Sequence, residues 1–122
     1  MITNTQSGTT VDEIAEGIYR ISTPVHLLDG FTFNQYLVVD EKPLLFHSGP
    51  RRMFPMVREA IAKVIPLERL RYIGVSHFEA DECGALNEIL AVAPNAVPVC
   101  STVGALVSLN DYADRDPLPL AN

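Results

Sequence analysis

Residues 74–84, GVSHFEADECG, place one imidazole and three carboxylates within six consecutive positions, directly after a run of apolar residues. These side chains are His77, Glu79, Asp81 and Glu82. In an extended segment alternate residues point the same way, so His77, Glu79 and Asp81 can converge on one side. An imidazole with carboxylates suits Fe, Mn or Zn, and the excess of oxygen donors favours Fe and Mn. The spacing therefore predicts part of a metal site.

The same residues are also compatible with a polar loop between a strand and a helix. Asp81 could cap a helix that begins near Glu82, while Glu79 and Glu82 would be favoured beside its positive end. His77 would then only form a hydrogen bond. The position of the loop supports the metal interpretation, because ligand sites in α/β sheets lie beyond the carboxyl ends of strands.

Hydrophobic periodicity indicates the elements that must position this loop. Alternating or β-branched stretches predict strands, and apolar residues at spacings of three and four predict helices. The strands are expected at 18–22, 33–40, 44–48, 72–76 and 97–100, and the helices at 54–64, 84–93 and from 101 or 102 to 106 or 108. Residues 33–48 should form an antiparallel hairpin, and 72–76 should pair in parallel with 97–100. The fold class is therefore α/β.

Composition excludes several classes of protein. The net charge of -6 and the pI near 4.9 make nucleic acid an unsuitable partner. The apolar stretches are shorter than the roughly 20 residues that span a bilayer, and the first residues lack the features of a signal peptide. Two cysteines are too few for a disulfide scaffold. We therefore expect a cytoplasmic protein that binds neither nucleic acid nor membrane.

The order of strand, His-x-Glu-x-Asp, glycine and helix resembles the first metal motif of the metallo-β-lactamase superfamily. Glu79, where many hydrolases of that group carry histidine, resembles the flavodiiron branch, which binds oxygen at two irons. The preceding FNQYLVVDEKPLLFHSGPR is similar to the hairpin by which that fold enters its first sheet. The resemblance covers roughly residues 17–109. It implies half of an αββα sandwich, a mixed sheet with an N-terminal antiparallel hairpin followed by βαβ units.

By this resemblance His77 and Glu79 ligate one iron and Asp81 the second, with Zn or Mn as alternative metals. The chain departs from the family pattern at two positions. Glu82 stands where the motif usually has histidine. His47 ends a hairpin strand where relatives commonly carry an aspartate that supports the site. Both are candidates either for a metal ligand or for a group that supports the ligands.

The resemblance also bears on how the chain is organised. The family's remaining ligands, two histidines and a bridging aspartate, belong to a second half of its domain that these residues do not include. We expect residues 1–122 to form a single partial domain, with 1–16 as a frayed lead-in and 110–122 as a truncated connection.

Two functions of different classes follow from these expectations. The first is a diiron oxidoreductase or sensor for dioxygen or nitric oxide that takes electrons from a separate flavin or rubredoxin-like partner, with a metallo-hydrolase as a close variant. No flavin-binding segment is recognisable in the sequence. The second is a non-catalytic half-domain, whose exposed sheet edge and uncovered apolar face drive pairing with a second copy or with a complementary chain.

Overall fold

Eight strands form one sheet in which each strand lies beside its neighbours in the sequence. The computed structural model describes residues 1–26 and 28–120. The strands are β1 (Ile2–Asn4), β2 (Thr9–Ala15), β3 (Ile18–Pro24), β4 (Thr32–Val38), β5 (Leu44–Phe46), β6 (Tyr72–Gly74), β7 (Val97–Ser101) and β8 (Leu118–Leu120). Pairing is antiparallel from β1 to β5 and parallel from β5 to β8. This confirms the α/β mixed sheet with its N-terminal hairpin.

Helices occupy the connections between the parallel strands, as crossover geometry requires. They are α1 (Phe54–Ala62), α2 (Ala80–Cys83), α3 (Leu86–Val92), α4 (Thr102–Gly104), a π-helical turn (Ala105–Leu109) and α5 (Asn110–Tyr112), with 3-10 turns at Arg51–Met53 and Leu67–Arg69. Helices α1 and α3 each bury three residues at helical spacing, so each packs one apolar stripe into the core. None of the helices in the described part has the length and apolar character that crossing a membrane requires.

The two faces of the sheet differ in how they are covered. Ile21, Leu37 and Leu45 are fully buried in the core that α1 and α3 share. Side chains alternate along a strand, so Phe46 lies on the opposite face, where it is 36% exposed. We call this opposite surface the open face. It has a groove of about 400 Å³ and a second groove beside it. The apolar side chains that line these grooves include Leu44, Phe46, Val99, Leu118 and Leu120. A sheet face with exposed apolar side chains is what half of a sandwich would present.

The expectation that residues 1–16 are a frayed lead-in is wrong. Strands β1 and β2 extend the antiparallel part of the sheet, and β2 pairs with β3 along most of its length. Thr9 and Val11 are buried, and the hydroxyls of Thr9 and Thr23 lie 2.8 Å apart in a hydrogen bond. Threonine is a favourable strand residue, so the threonines of this segment suit the strands that it forms.

The expectation of a truncated connection at 110–122 is also wrong over the described residues, which contain α5 and β8. The last helical segment runs past its predicted end at 106 or 108 to Tyr112. Ser101 caps it, because its hydroxyl accepts a hydrogen bond from the Gly104 amide at 3.0 Å. Strand β8 then pairs in parallel with β7 and places Pro119 opposite Cys100. Residues 121 and 122 lie outside the described part.

Arg115 explains why this C-terminal segment is ordered. Its guanidinium donates hydrogen bonds to the carbonyl oxygens of Leu90 at 3.2 Å and Ala93 at 3.1 Å, and also to that of Ala96. The carbonyls at the end of a helix have no partners within the helix, so a multidentate cation there satisfies several of them.

We expect Arg115→Ala to lower the free energy of unfolding by about 2 kcal/mol, because carbonyls at the end of α3 lose a charged donor. Urea denaturation followed by circular dichroism measures the change. Arg69→Ala, which alters an exposed arginine, should change the same quantity by less than about 0.5 kcal/mol. Equal losses in the two variants would contradict the capping role.

Candidate metal site

Strands β5 and β6 end side by side and deliver their following residues to one edge of the sheet. Phe46 is aligned with Gly74, and the amide of His47 donates a hydrogen bond to the Gly74 carbonyl at 2.9 Å. His47 has a φ of 70°, a left-handed conformation in which histidine, asparagine and aspartate are the more common non-glycine residues. The segments after both strands therefore meet where α/β sheets place their ligand sites.

Ser48 ties the segment after β5 to the start of the helical layer. The side chain is fully buried, and Glu82 O accepts hydrogen bonds from Ser48 N at 2.7 Å and from Ser48 Oγ at 3.1 Å. The amide of Ala85 in turn donates to Ser48 Oγ at 3.1 Å. Gly84 permits the close approach, since a Cβ there would lie 3.1 Å from Pro50 Cα. These contacts fix α2 relative to the strand ends.

The three predicted ligands do not share one backbone conformation. His77 and Glu79 precede α2, and Glu79 is extended with φ −131° and ψ 154°. Asp81 lies within α2, so the strand-like alternation expected to align it with His77 ends at Glu79. All three side chains are exposed. Among the residues that the structure describes, no three His, Cys, Asp or Glu side chains form a cluster able to hold a metal ion.

Helix α2 begins earlier than the polar-loop interpretation requires. It starts at Ala80 rather than near Glu82, and Glu79 occupies the N-cap position without a hydrogen bond from its side chain. Asp81 therefore sits inside the first turn and does not cap it. The assignment of His77, Glu79 and Asp81 as metal ligands stays a prediction.

Glu82 and His47, the two departures from the family pattern, are in contact. The Glu82 residue is 8% exposed, and its Oε1 accepts a hydrogen bond from Ser76 Oγ at 2.6 Å. His47 Nε2 lies 2.9 Å from Glu82 Oε1 and 3.1 Å from Ser76 Oγ. An imidazole therefore stands at the position where the resemblance implies an acid, and an acid stands at the position where it implies an imidazole.

Ser76 was missed as a site residue by the sequence analysis. Its only local signal is its place between strand β6 and His77, and its partner His47 is 29 residues away in the sequence. The trio of Ser76, His47 and Glu82 is not a nucleophilic triad. In such a triad the acid contacts the imidazole nitrogen that faces away from the serine, whereas Glu82 and Ser76 here both contact Nε2, and the serine donates its proton to the acid.

Both cysteines are free thiols and are buried. Burial raises the pKa of Cys83, and the nearby Glu82 and Asp81 carboxylates add to the rise. Burial likewise raises the pKa of Cys100. A nucleophilic or metal-ligating cysteine needs its thiolate form, so neither residue has the environment for that chemistry.

The residues present fit a divalent metal in their donor chemistry. His77, Glu79 and Asp81 offer one imidazole and two carboxylates on the surface, a set that Fe, Mn and Zn accept. In addition, Glu82 Oε2 is buried and has no hydrogen-bond partner in the part of the chain that the structure describes, and His77 Nδ1 lies 4.0 Å from it. An unpaired buried carboxylate oxygen beside a candidate ligand is a feature of an incomplete polar network.

Comparison with known proteins places these residues within a described family. The family model described as ODP family beta lactamase matches residues 31–116. The chain is similar to the anaerobic nitric oxide reductase flavorubredoxins of Salmonella arizonae, at 31% identity over 90 residues, and of Pectobacterium atrosepticum, at 29% over 90 residues. The matched region is 74% of this chain but only 19% and 18% of the two relatives.

Solved structures show the same fold. A fragment covering residues 1–254 of diflavin flavoprotein A 5 from Nostoc sp. PCC 7120 aligns with a TM-score of 0.80 at 20% identity, over 93% of this chain and 49% of that fragment. Rubredoxin oxygen:oxidoreductase from Desulfovibrio gigas aligns with a TM-score of 0.78 at 24% identity, over 93% of this chain and 31% of that protein. The likeness confirms the expected resemblance for the first part of such a domain.

The contact between His47 and Glu82 should be measurable as a coupling. We expect His47→Ala and Glu82→Ala each to destabilise the fold, and the double variant to lose about 1–3 kcal/mol less than the sum, because each single change removes a contact on which the remaining partner depends. Urea unfolding of the four proteins measures this coupling. Additive losses would mean that the two side chains do not depend on each other.

Proposed function

Since this chain belongs to the family described as ODP family beta lactamase, we propose that it is a metal-binding, diiron protein of metallo-β-lactamase fold that reduces or senses dioxygen or nitric oxide. The observation that carries the proposal is the exposed loop with His77, Glu79 and Asp81, which follows β6 at the carboxyl edge of the sheet and lies inside the matched region. The names of the relatives, nitric oxide reductase and oxygen:oxidoreductase, support the two candidate substrates.

Each candidate ligand in the loop then has a defined role. His77 and Glu79 would hold one iron and Asp81 the second, with Mn or Zn as alternatives and a metallo-hydrolase as the corresponding variant. Bound iron would supply the redox chemistry that no side chain of this loop has by itself. His47, Ser48 and Ser76 would hold the strand ends and α2 in place around the ligands.

A working diiron centre needs more donors than this loop provides. Catalytic metals in proteins commonly use three protein ligands each, so two metals call for more donors than the three that the loop offers. We propose that the remaining donors come from further polypeptide, either a complementary chain or more of the same protein. Electrons would come from a flavin or rubredoxin-like donor, as the relatives' names suggest. The free thiols are compatible with a cytoplasmic location.

Metal content tests this function. Protein purified without chelator should contain about one or two Fe, Mn or Zn per chain by elemental analysis, because the loop offers imidazole and carboxylate donors together. The double variant His77→Ala, Glu79→Ala should lose this metal. A matched double variant at other exposed residues, His26→Ala with Glu41→Ala, should retain it. The proposal for this chain would be overturned if the purified protein contained no metal and its melting temperature did not change on addition of Fe²⁺, Mn²⁺ or Zn²⁺.

The open face favours a second candidate, a non-catalytic half-domain that acts through pairing. Leu118 and Leu120 are 48% and 53% exposed on this face, next to the half-buried Leu44 and Val99. Contiguous apolar surface of this kind is costly in water and typically marks an interface. In this alternative the open face of one copy would cover that of a second copy or of a complementary chain.

Mass in solution tests the pairing. Light scattering should give twice the chain mass of 13.4 kDa for the unmodified protein, and Leu120→Glu on the open face should return it to a monomer, because a buried charge opposes association. Ile14→Glu, at an exposed position of β2, should leave the dimer intact. A monomer at all concentrations would exclude the homodimer, and dissociation by both variants would exclude the open face as its interface.

A further inference from the structure

One carboxylate oxygen of Glu82 has polar partners, and the other has none in the described part of the chain. Its Oε1 receives the Ser76 hydroxyl at 2.6 Å and lies 2.9 Å from His47 Nε2, while its backbone carbonyl accepts from Ser48. Its Oε2 is buried and has no hydrogen-bond partner in the described part of the chain. A buried carboxylate oxygen without a partner carries a free-energy penalty, so a donor that could reach it would be favoured.

His77 is the donor within reach. Its Nδ1 lies 4.0 Å from Glu82 Oε2, too far for a hydrogen bond, but the side chain is 72% exposed and its ring can rotate toward the carboxylate. A histidine that binds a metal through one ring nitrogen commonly donates the proton on its other nitrogen to a carboxylate, which sets both the tautomer and the ring orientation.

We propose that Glu82 is a positioning residue for His77: its Oε2 accepts the proton on His77 Nδ1 and so leaves Nε2 free for the metal. The proposal rests on the function proposed above, because it assigns the nitrogen that the metal would use. Glu79 and Asp81 are less suited to this role because they are exposed and water can satisfy their oxygens. The contact of Glu82 with Ser76 and His47 holds the carboxylate at one orientation without occupying Oε2.

The tautomer of His77 can be tested without any metal. In ¹⁵N-histidine-labelled, metal-free protein at a pH where imidazoles are neutral, long-range ¹H–¹⁵N spectra show which ring nitrogen carries the proton. We expect His77 to carry it on Nδ1 in the unmodified protein and on Nε2, the usual tautomer of free imidazole, in Glu82→Leu. A His77→Ala variant identifies the signal. Glu82→Gln keeps a single acceptor oxygen, for which Ser76 and His77 compete, so it should restore the Nδ1 tautomer only in part.

Glu88→Leu is the matched control, because Glu88 Oε2 is also buried without a partner in the described residues but belongs to α3. This variant should leave the His77 tautomer unchanged. A general disturbance of the fold would instead alter His77 in Glu82→Leu and Glu88→Leu alike, and would overturn the proposal. The proposal would also be overturned if His77 had the same tautomer in the unmodified protein and in Glu82→Leu.

Metal titration gives the second readout. Calorimetry with Zn²⁺ or Mn²⁺ should show affinity lowered by about 10–100-fold in Glu82→Leu, as is typical when a carboxylate partner of a ligating histidine is removed, and lowered less in Glu82→Gln. If Glu82 were itself a ligand, both variants would lose affinity while the tautomer in metal-free protein stayed unchanged. If the unmodified protein binds no metal, the proposed function fails, and the tautomer measurement still decides the role of Glu82.

Discussion

The burial of one carboxylate constrains the whole carboxyl edge of the sheet. Glu82 can be buried at this position only because Ser76 donates to it and His47 contacts it, since an isolated carboxylate would not tolerate the loss of water. Each partner comes from the end of a different strand, and Ser48 binds the carbonyl of the same residue. A single side chain thus joins β5, β6 and α2, and the loop with the candidate ligands is part of this arrangement.

Local patterns in the sequence were sufficient for most of the central fold. The hairpin at 33–48 and the helix at 54–64 rest on alternation and on spacings of three and four, which depend on burial of one face, and both appear within a few residues of the expected bounds. The ends were misjudged for a related reason. In β2 only Thr9 and Val11 are buried, and its threonines resemble loop composition.

The geometry of the candidate site could not be predicted to the same extent. His47 and Glu82 are 35 positions apart, and no periodicity connects them; only the register that sets β5 beside β6 brings them together. The expected alignment of Asp81 with His77 assumed an extended backbone, but the four-residue helix α2 starts between them. Residue types therefore predict a class of site, and that assignment stays a prediction, whereas the side-chain directions depend on where a short helix begins.

Strand β8 restricts how another polypeptide can approach the open face. The free edge of a sheet can normally be extended by a further strand that uses its unpaired amide and carbonyl groups. Pro119 has no amide hydrogen, and prolines in sheets occur at edges with the missing donor turned outward. Growth of the sheet in its own plane is therefore hindered at this end. A polypeptide that bound here would instead stack across the leucines of the open face, which would produce two layers of strands and not one longer sheet.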